Sequence, residues 1–495
     1  MRGNIQWSED ATGKTIAGAR RVRRPGKADD FPRHDPELIA RDEAIFLLHT
    51  AAEVEHSLMV QYLYAAMTLN LGTEQHPDPD TPRWQRIILG IAKEEMGHFI
   101  TVQNILRLIG GPLNFEREDT PFRSEYYPFR FSLRPLTVKA PNRGGWKNAG
   151  SLNRYIAAEM PRLEQITNKK DRTDLAEVLG CPDESLSDAH GRLSEINTVG
   201  RLYARLINII DKQLSDEEDV LAEEDIKGYM ADAATWDRAG QEFDVRVMPT
   251  HNRKEAVQAL RAIAEQGEGE GLTKRSHFHR FLHIYRELRA RRQAHPRFNP
   301  ALPVPCDPTP AKESENKTLR QVETKEFKQE GWTRITHPAS RLWAQLFDLR
   351  YRMTLGLIMH QLLLDANRNP DSVMARRALA NAAITEMHSL GWLARVIVKR
   401  PLTHRRKGMR AAPSFELPYT FAFPDRETDR ARVHLAVLGA VELLVKELRE
   451  TDKEMSKDEK QLLDRLMLRD LTLKRLCEEI AAKDEEESDE EVETV

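Results

Sequence analysis

Along most of this chain apolar residues recur at the three- and four-residue spacing of an α-helix, not with the alternation of a strand. The first such run passes through Ile45, Leu48, Ala52, Leu58 and Leu63 to about Leu71. Asp35-Pro36 ahead of it supplies a capping side chain and a proline suited to a first helical position. A second run begins near Asp80-Thr81-Pro82, carries Ile87-Ile88-Leu89 through Ile105-Leu106, and stops at Gly110-Gly111-Pro112. Residues 113–150 break the rhythm. They are aromatic and rich in Pro and Gly (Tyr126-Tyr127-Pro128, Asn142-Arg143-Gly144-Gly145), which predicts an extended excursion with room for a short hairpin. Helical spacing returns at 151–166, about 190–213, about 252–266 and 274–293. Four main helices with one elaborate crossover predict a bundle and not a βαβ fold.

Residues 296–337 are polar and carry Pro296, Pro300, Pro303, Pro305, Pro308 and Pro310, the pattern of a linker. Beyond them helices are expected at about 339–367, 371–399, 428–450 and 457–481, forming a second all-α unit or packing onto the first. The expected organisation is therefore a disordered basic segment at 1–34, a bundle domain at 35–295, the linker at 296–337, a C-terminal helical domain at 338–482 and a disordered acidic tail at 483–495. The fold class is all-α: a four-helix bundle with an irregular crossover, plus a C-terminal helical domain.

Charge narrows the function. Although 31% of residues are charged, the formal net charge is only −3, so no global field favours nucleic acid. The basic loop Arg400 to Arg410 has no interleaved aromatic residues and is equally poor evidence for it. Cys181, Cys306 and Cys477 share no close spacing, so neither a thiolate metal site nor a disulfide framework is indicated. No apolar stretch reaches the roughly 18 residues of a membrane span, and the basic N-terminus lacks the apolar core of a signal peptide. The expectation is a cytoplasmic protein without membrane or nucleic-acid partners, its homo-oligomerisation left open.

The candidate chemistry lies in the two best-patterned helices. Glu95 and His98, three residues apart, project from one face of the second, among Ile91, Ala92, Phe99 and Val102. An unpaired carboxylate in such surroundings is costly, and metal coordination is one arrangement that makes it tolerable. In the first helix Glu55 has Leu58, Met59 and Tyr62 at i+3, i+4 and i+7, so it too lies on or beside the apolar face. Glu on one helix and Glu-x-x-His on its neighbour are half of the carboxylate-bridged dimetal site found inside ferritin-like bundles. Carboxylate with imidazole suits iron or manganese better than zinc-thiolate or calcium chemistry.

The string from Glu53 to Ala66, with Glu55-His56-Ser57-Leu58-Met59 and Gln61-Tyr62-Leu63-Tyr64, resembles the first helix of the ferritin-like, iminophenyl-pyruvate dimer synthase-like family of violacein- and rebeccamycin-type biosynthesis. Ile91 to His98, followed by Val102-Gln103-Asn104 and Ile109-Gly110-Gly111-Pro112, resembles its second helix. Gln266 to Gly271 and Ser276 to Phe281 resemble its Gly-Glu-Gly turn and Ser-His-aromatic helix, so the likeness covers roughly 37–290. The resemblance implies metal contacts from Glu55, Glu95 and His98, and from His277 and Glu268 in the fourth-helix region, with Tyr62 one layer behind them. It departs at the third helix, where Gly200-Arg201-Leu202-Tyr203 puts an arginine in place of a carboxylate. Glu195 is six residues earlier and faces elsewhere, about 240° around the helix. Two arrangements stay open: the Arg201 guanidinium neutralising Glu55 or Glu95, or a single iron on Glu and two His. Glu386 and His388 in the second half echo the motif, but two residues apart they point away from each other.

The function this implies is a non-haem iron oxidoreductase holding one or two iron ions, with manganese as the alternative metal. It would act with dioxygen on a small, amino-acid-derived organic substrate in secondary metabolism. The competing reading is a ferritin-like scaffold or binding protein that has lost a complete dimetal site.

Overall fold

The computed structural model describes residues 38–73, 75–124, 127–141, 146–194, 199–211, 229–236, 245–268, 276–311, 331–364, 370–404, 408–417 and 423–493. The chain is all-α apart from two pairs of two-residue strands among the described residues.

Helix α1 spans Ala40–Met67 and α2 spans Thr81–Leu108. Pro82 sits in the first turn of α2. At its other end Gly110 takes φ +69°, and the amides of Gly110 and Gly111 bond back to the carbonyls of Arg107 (3.1 Å) and Leu106 (2.8 Å). This closes the helix as glycine at that position allows. Gln85 Nε2 donates to the Ala66 carbonyl at 2.9 Å and the His49 ring meets the Pro112 carbonyl at 3.0 Å, so α1 and α2 run antiparallel. Asp35 and Pro36 lie outside the described residues.

The excursion contains the hairpin its composition left room for: β1 (Phe122–Arg123) pairs antiparallel with β2 (Arg130–Phe131). Helix α3 covers Ser151–Ala158 only. The expected continuation to 166 fails because Pro161 can neither donate a helical hydrogen bond nor tolerate an α conformation before it. Helices α4 (Lys169–Leu179) and α5 (Leu186–Ser194) follow, then α6 (Val199–Asp211), α7 (Ala233–Trp236), α8 (Arg253–Glu268) and α9 (His277–Ala294). The helix expected at about 190–213 overlaps α5 and α6, and residues 195–198 between them lie outside the described residues. Arg205 on α6 grips Glu43 on α1 through two 2.8 Å bonds. α8 packs on α6 and α2, while α9 packs on α2 and α3.

The segment read as a linker is partly built into the fold. Ala301 bridges to Leu69, the Tyr64 hydroxyl donates to the Pro305 carbonyl, and β3 (Pro308–Thr309) pairs in parallel with β4 (Thr333–Arg334). Its prolines cannot continue a helix, yet their carbonyls remain available as acceptors. Residues 312–330 lie outside the described residues.

A second helical group follows: α10 (Pro338–Leu363), α11 (Pro370–Ile397), α12 (Glu427–Thr451) and α13 (Lys457–Glu493). α13 runs through 483–493, where composition alone suggested a disordered tail, because a Glu-rich run without Pro or Gly is compatible with continuing a helix. The two halves are in direct contact. The His56 ring meets the Tyr351 hydroxyl, Arg117 donates to the Phe415 carbonyl, and the Leu417 amide donates to Asp119 at 2.9 Å. No described helix is long and apolar enough to cross a membrane.

Two buried polar groups hold the second half to one arrangement. Arg350 is fully buried, donates twice to Asp470 and reaches Glu386 at 3.4 Å. Arg350→Ala leaves two buried carboxylates without their cation and should cost about 3–5 kcal/mol in urea unfolding. Leu443→Ala, at an exposed site, should stay within about 0.5 kcal/mol. His434 stands 3.0 Å from the His360 ring, and burial, then His360, push its pKa down to about 3. The unfolded chain takes up this proton near 6.5, so the stability present above that pH is lost progressively as pH falls towards 3. Unfolding of His434→Phe should show a shallower acid loss than the parent across that window.

Candidate metal centre

The polar residues of the centre come from four pieces of backbone, brought together by the packing above. Glu55 lies in α1, Glu95 and His98 one turn apart in α2, and His277 is the first residue of α9. Ser276 fixes that start by capping α9 through the His279 amide. Glu159 directly follows α3. All five are at most 3% exposed, deep enough that solvent cannot screen them.

Glu95 is shared. Its Oε2 is 2.8 Å from His98 Nδ1 and its Oε1 is 3.1 Å from His277 Nδ1. Glu55 Oε2 stands 3.4 Å from His98 Nδ1, and Glu159 Oε2 is 3.9 Å from His277 Nδ1. Two donor groups result, Glu55–Glu95–His98 and Glu95–Glu159–His277, with the ligand atoms of each within 4.8 Å of one another. The two imidazole centroids are 5.7 Å apart.

The outer faces of these residues are anchored. His98 Nε2 meets Gln266 Oε1 at 3.0 Å, and His277 Nε2 meets Glu94 Oε2 at 3.0 Å. Glu94 is itself gripped by Arg280. A proton on each Nε2 leaves both Nδ1 lone pairs turned inward, the tautomer a metal requires. Tyr203 donates to Glu55 Oε1 and Tyr62 to Glu159 Oε1, each at 2.5 Å, so each outer carboxylate has one oxygen held and one facing in. Glu55 Oε2, Glu95 Oε1 and His277 Nδ1 are buried and make no hydrogen bond. Glu55 and Glu95 border a cavity of about 10 Å³ that His98, Glu159, Tyr203 and Gly267 also line. Orphaned inward donors around an ion-sized space fit a metal, and imidazole with carboxylate fits iron or manganese.

The electrostatics agree. Burial, then the Glu95 charge, pushes Glu55 and Glu159 up to about 7. Glu95 goes the other way: burial opposes its charge, but His277 and His98 outweigh it and hold the carboxyl below its usual range. Burial alone would lower His277, yet Glu95 and Glu94 raise it to about 9. Without a cation, protons do the balancing.

Residues 48–286 match the ferritin-like family. This stretch of the chain is a ferritin-like domain. Over 432 residues, 80% of its length, the chain is 26% identical to dichlorochromopyrrolate synthase from Lentzea aerocolonigenes, and it spans 38% of that relative. No solved structure matches it.

The ferritin-like domain brings Glu55, Glu95, His98 and His277 together, with Tyr62 behind Glu159. Glu268 is the last residue of α8, and its side chain lies outside the described residues, as does Glu195. Arg201 is on the exposed face of α6 because its neighbours Leu202 and Tyr203 take the inward positions, so its guanidinium does not reach the centre. The further carboxylate comes instead from Glu159, which the sequence reading missed. The available signal was an acid in the apolar run Tyr155-Ile156-Ala157-Ala158-Glu159-Met160, just before Pro161.

Metal must displace the protons held here, so its affinity should rise with pH between about 7 and 9, where Glu55, Glu159 and His277 lose theirs. Titration of chelator-stripped protein with Mn²⁺ at a series of pH values checks this. Glu159→Ala and Glu95→Ala should each weaken that binding.

Proposed function

We propose that this chain is a non-haem iron oxidoreductase that acts with dioxygen on a small organic molecule, and that two iron ions would be held by the donor groups Glu55–Glu95–His98 and Glu95–Glu159–His277, which have Glu95 in common. The observation that carries this reading is the placing of one Glu95 oxygen against each inward imidazole nitrogen. A site for a single ion would need only one of those arrangements. The similarity to a synthase named for dichlorochromopyrrolate supports a biosynthetic substrate.

Glu55 and His98 would hold one ion, Glu159 and His277 the other. Bound iron would supply the redox chemistry that activates dioxygen. The chain's own residues set the conditions. Tyr203 and Tyr62 keep one oxygen of Glu55 and of Glu159 occupied, so each outer carboxylate presents its other oxygen inward. Gln266 and Glu94 fix the two rings, restricting their rotation. Leu58, Val199, Ile263 and Ala264 line the cavity beside the carboxylates and exclude bulk water, which strengthens every charge interaction inside. The Tyr62 phenol proton lies on the hydrogen bond to Glu159 Oε1.

Protein purified without chelators should contain stoichiometric first-row metal by elemental analysis and consume dioxygen once reduced. Glu95→Ala should retain the fold by circular dichroism and lose the metal, whereas Arg201→Glu should keep it. Wild-type protein without such metal, or Glu95→Ala that keeps it, overturns the dinuclear reading in favour of a non-catalytic bundle.

A further inference from the structure

Helix α13 carries apolar residues on more than its packed side. Leu463, Leu466 and Cys477 are buried, and the helix packs on α12. Away from that side Leu468 is 68% exposed and Leu476 47%, with Leu471 beside them at 45%. Apolar residues beyond the packed face of a helix mark a contact surface.

The stripe that holds Leu468 and Leu476 is symmetric about Thr472. The two leucines stand four residues before and after it, and Arg465 and Glu479 stand seven before and after. All five residues are exposed. At about 100° per residue, these positions fall within roughly 40° of one line along the helix. A second α13 laid in the opposite direction about Thr472 therefore sets Leu468 against Leu476 and Arg465 against Glu479, each pair twice. A two-fold contact has to match itself in this way, because one patch supplies both sides. A parallel copy would instead set arginine against arginine and glutamate against glutamate. Within its own chain Arg465 reaches the Gln461 carbonyl at 3.3 Å and, among the described residues, no carboxylate. The same register carries the acidic run Asp484–Glu487 of each copy to the level of Lys460 and Lys457 of the other.

From this symmetry we infer that α13 is the docking surface for a second copy of this chain, the two helices running antiparallel about a two-fold axis at Thr472. Exposed ion pairs add little energy, so the leucines supply the contact and the charges set its direction and register. The inference is independent of the metal centre, which lies in the first half.

Sedimentation velocity of the full chain over a concentration series tests it. The parent should pass from monomer to dimer as concentration rises. Leu468→Asp, at an exposed site, should keep the fold by circular dichroism and weaken the dimer about tenfold or more. Arg465→Glu and Glu479→Arg, each placing two like-charged pairs across the axis, should weaken it similarly. An equimolar mixture of these two variants should associate as the parent does, because each then meets its opposite charge at both ends. The chain carrying both reversals should also recover. Glu95→Ala should dimerise like the parent, so failure of the metal reading leaves this result standing. A parent that stays monomeric throughout leaves the stripe to some other partner and overturns the inference. So do single reversals that associate as the parent does, or a mixture that associates no better than its components.

Discussion

A carboxylate fully buried between two imidazoles is the constraint around which the first half of this chain is arranged. Left alone, Glu95 would cost several kcal/mol to bury. Its two oxygens instead face one histidine from its own helix and one from the start of α9. That geometry requires α9 to begin at His277, which the Ser276 cap secures, and it requires α2 to be approached closely on its other side. Gly97 provides the approach: a Cβ there would lie 2.9 Å from the Arg246 carbonyl, where the segment carrying Val245 and Arg246 crosses the helix. Thr101 reinforces the crossing, its hydroxyl bonding both Gly97 O and Arg246 O. The small residue inside the Glu-x-x-His motif therefore serves packing, and the charged ones serve the centre.

The second half meets the same electrostatic problem with a covalently attached cation. Arg350 lies between Asp470 and Glu386, supplying a permanent positive charge that no chelator removes. The expectation of a guanidinium neutralising buried carboxylates was attached to Arg201 in the first half, and the structure shows such a pairing at Arg350 in the second. The difference decides what each half can do. A guanidinium offers donors and no open coordination position, so the site at Arg350 ties α10 to α11 and α13 through Glu386 and Asp470. Inward lone pairs with no hydrogen-bond partner, as on Glu55, Glu95 and His277, are chemically available.

Legibility from sequence followed periodicity. α1 and α2 are long, strongly patterned and punctuated by Pro82 and Gly110, so Glu55, Glu95 and His98 could be placed on buried faces from spacing alone. Glu159 could not, because it sits past the end of an eight-residue helix, where no register carries a face prediction forward. Tyr203 and Gln266 were hidden for another reason. Their importance lies in which carboxylate or ring they touch, and α6 and α8 are separated by long stretches of chain from the helices they meet. Arg201 shows the converse risk: a position matched to a family motif one residue at a time says nothing about which side of the helix is buried, and Leu202 and Tyr203 decide that here.

The irregular excursion was legible only as an interruption, yet its composition follows from what it builds. A regular helix presents one face and leaves little room for the three aromatic rings (Tyr127, Phe129 and Trp146) and four arginines that line a cavity between α2 and α3. A hairpin, a short 3-10 turn at Trp146–Asn148 and the first turns of α3 can aim them inward from several directions. Asp307, from the Pro-rich segment, ties this layer down by accepting from Ser132 Oγ and the Leu133 amide, each at 2.7 Å. Burial pushes its carboxyl up to about 6, and the pull of Arg134 and Arg130 in the other direction places those guanidiniums within its field. The prolines that marked the segment as a linker are thus compatible with a fixed role. A chain that cannot form helix or sheet is free to run along the bundle and hand its carbonyls and one carboxylate to the layer that encloses the cavity.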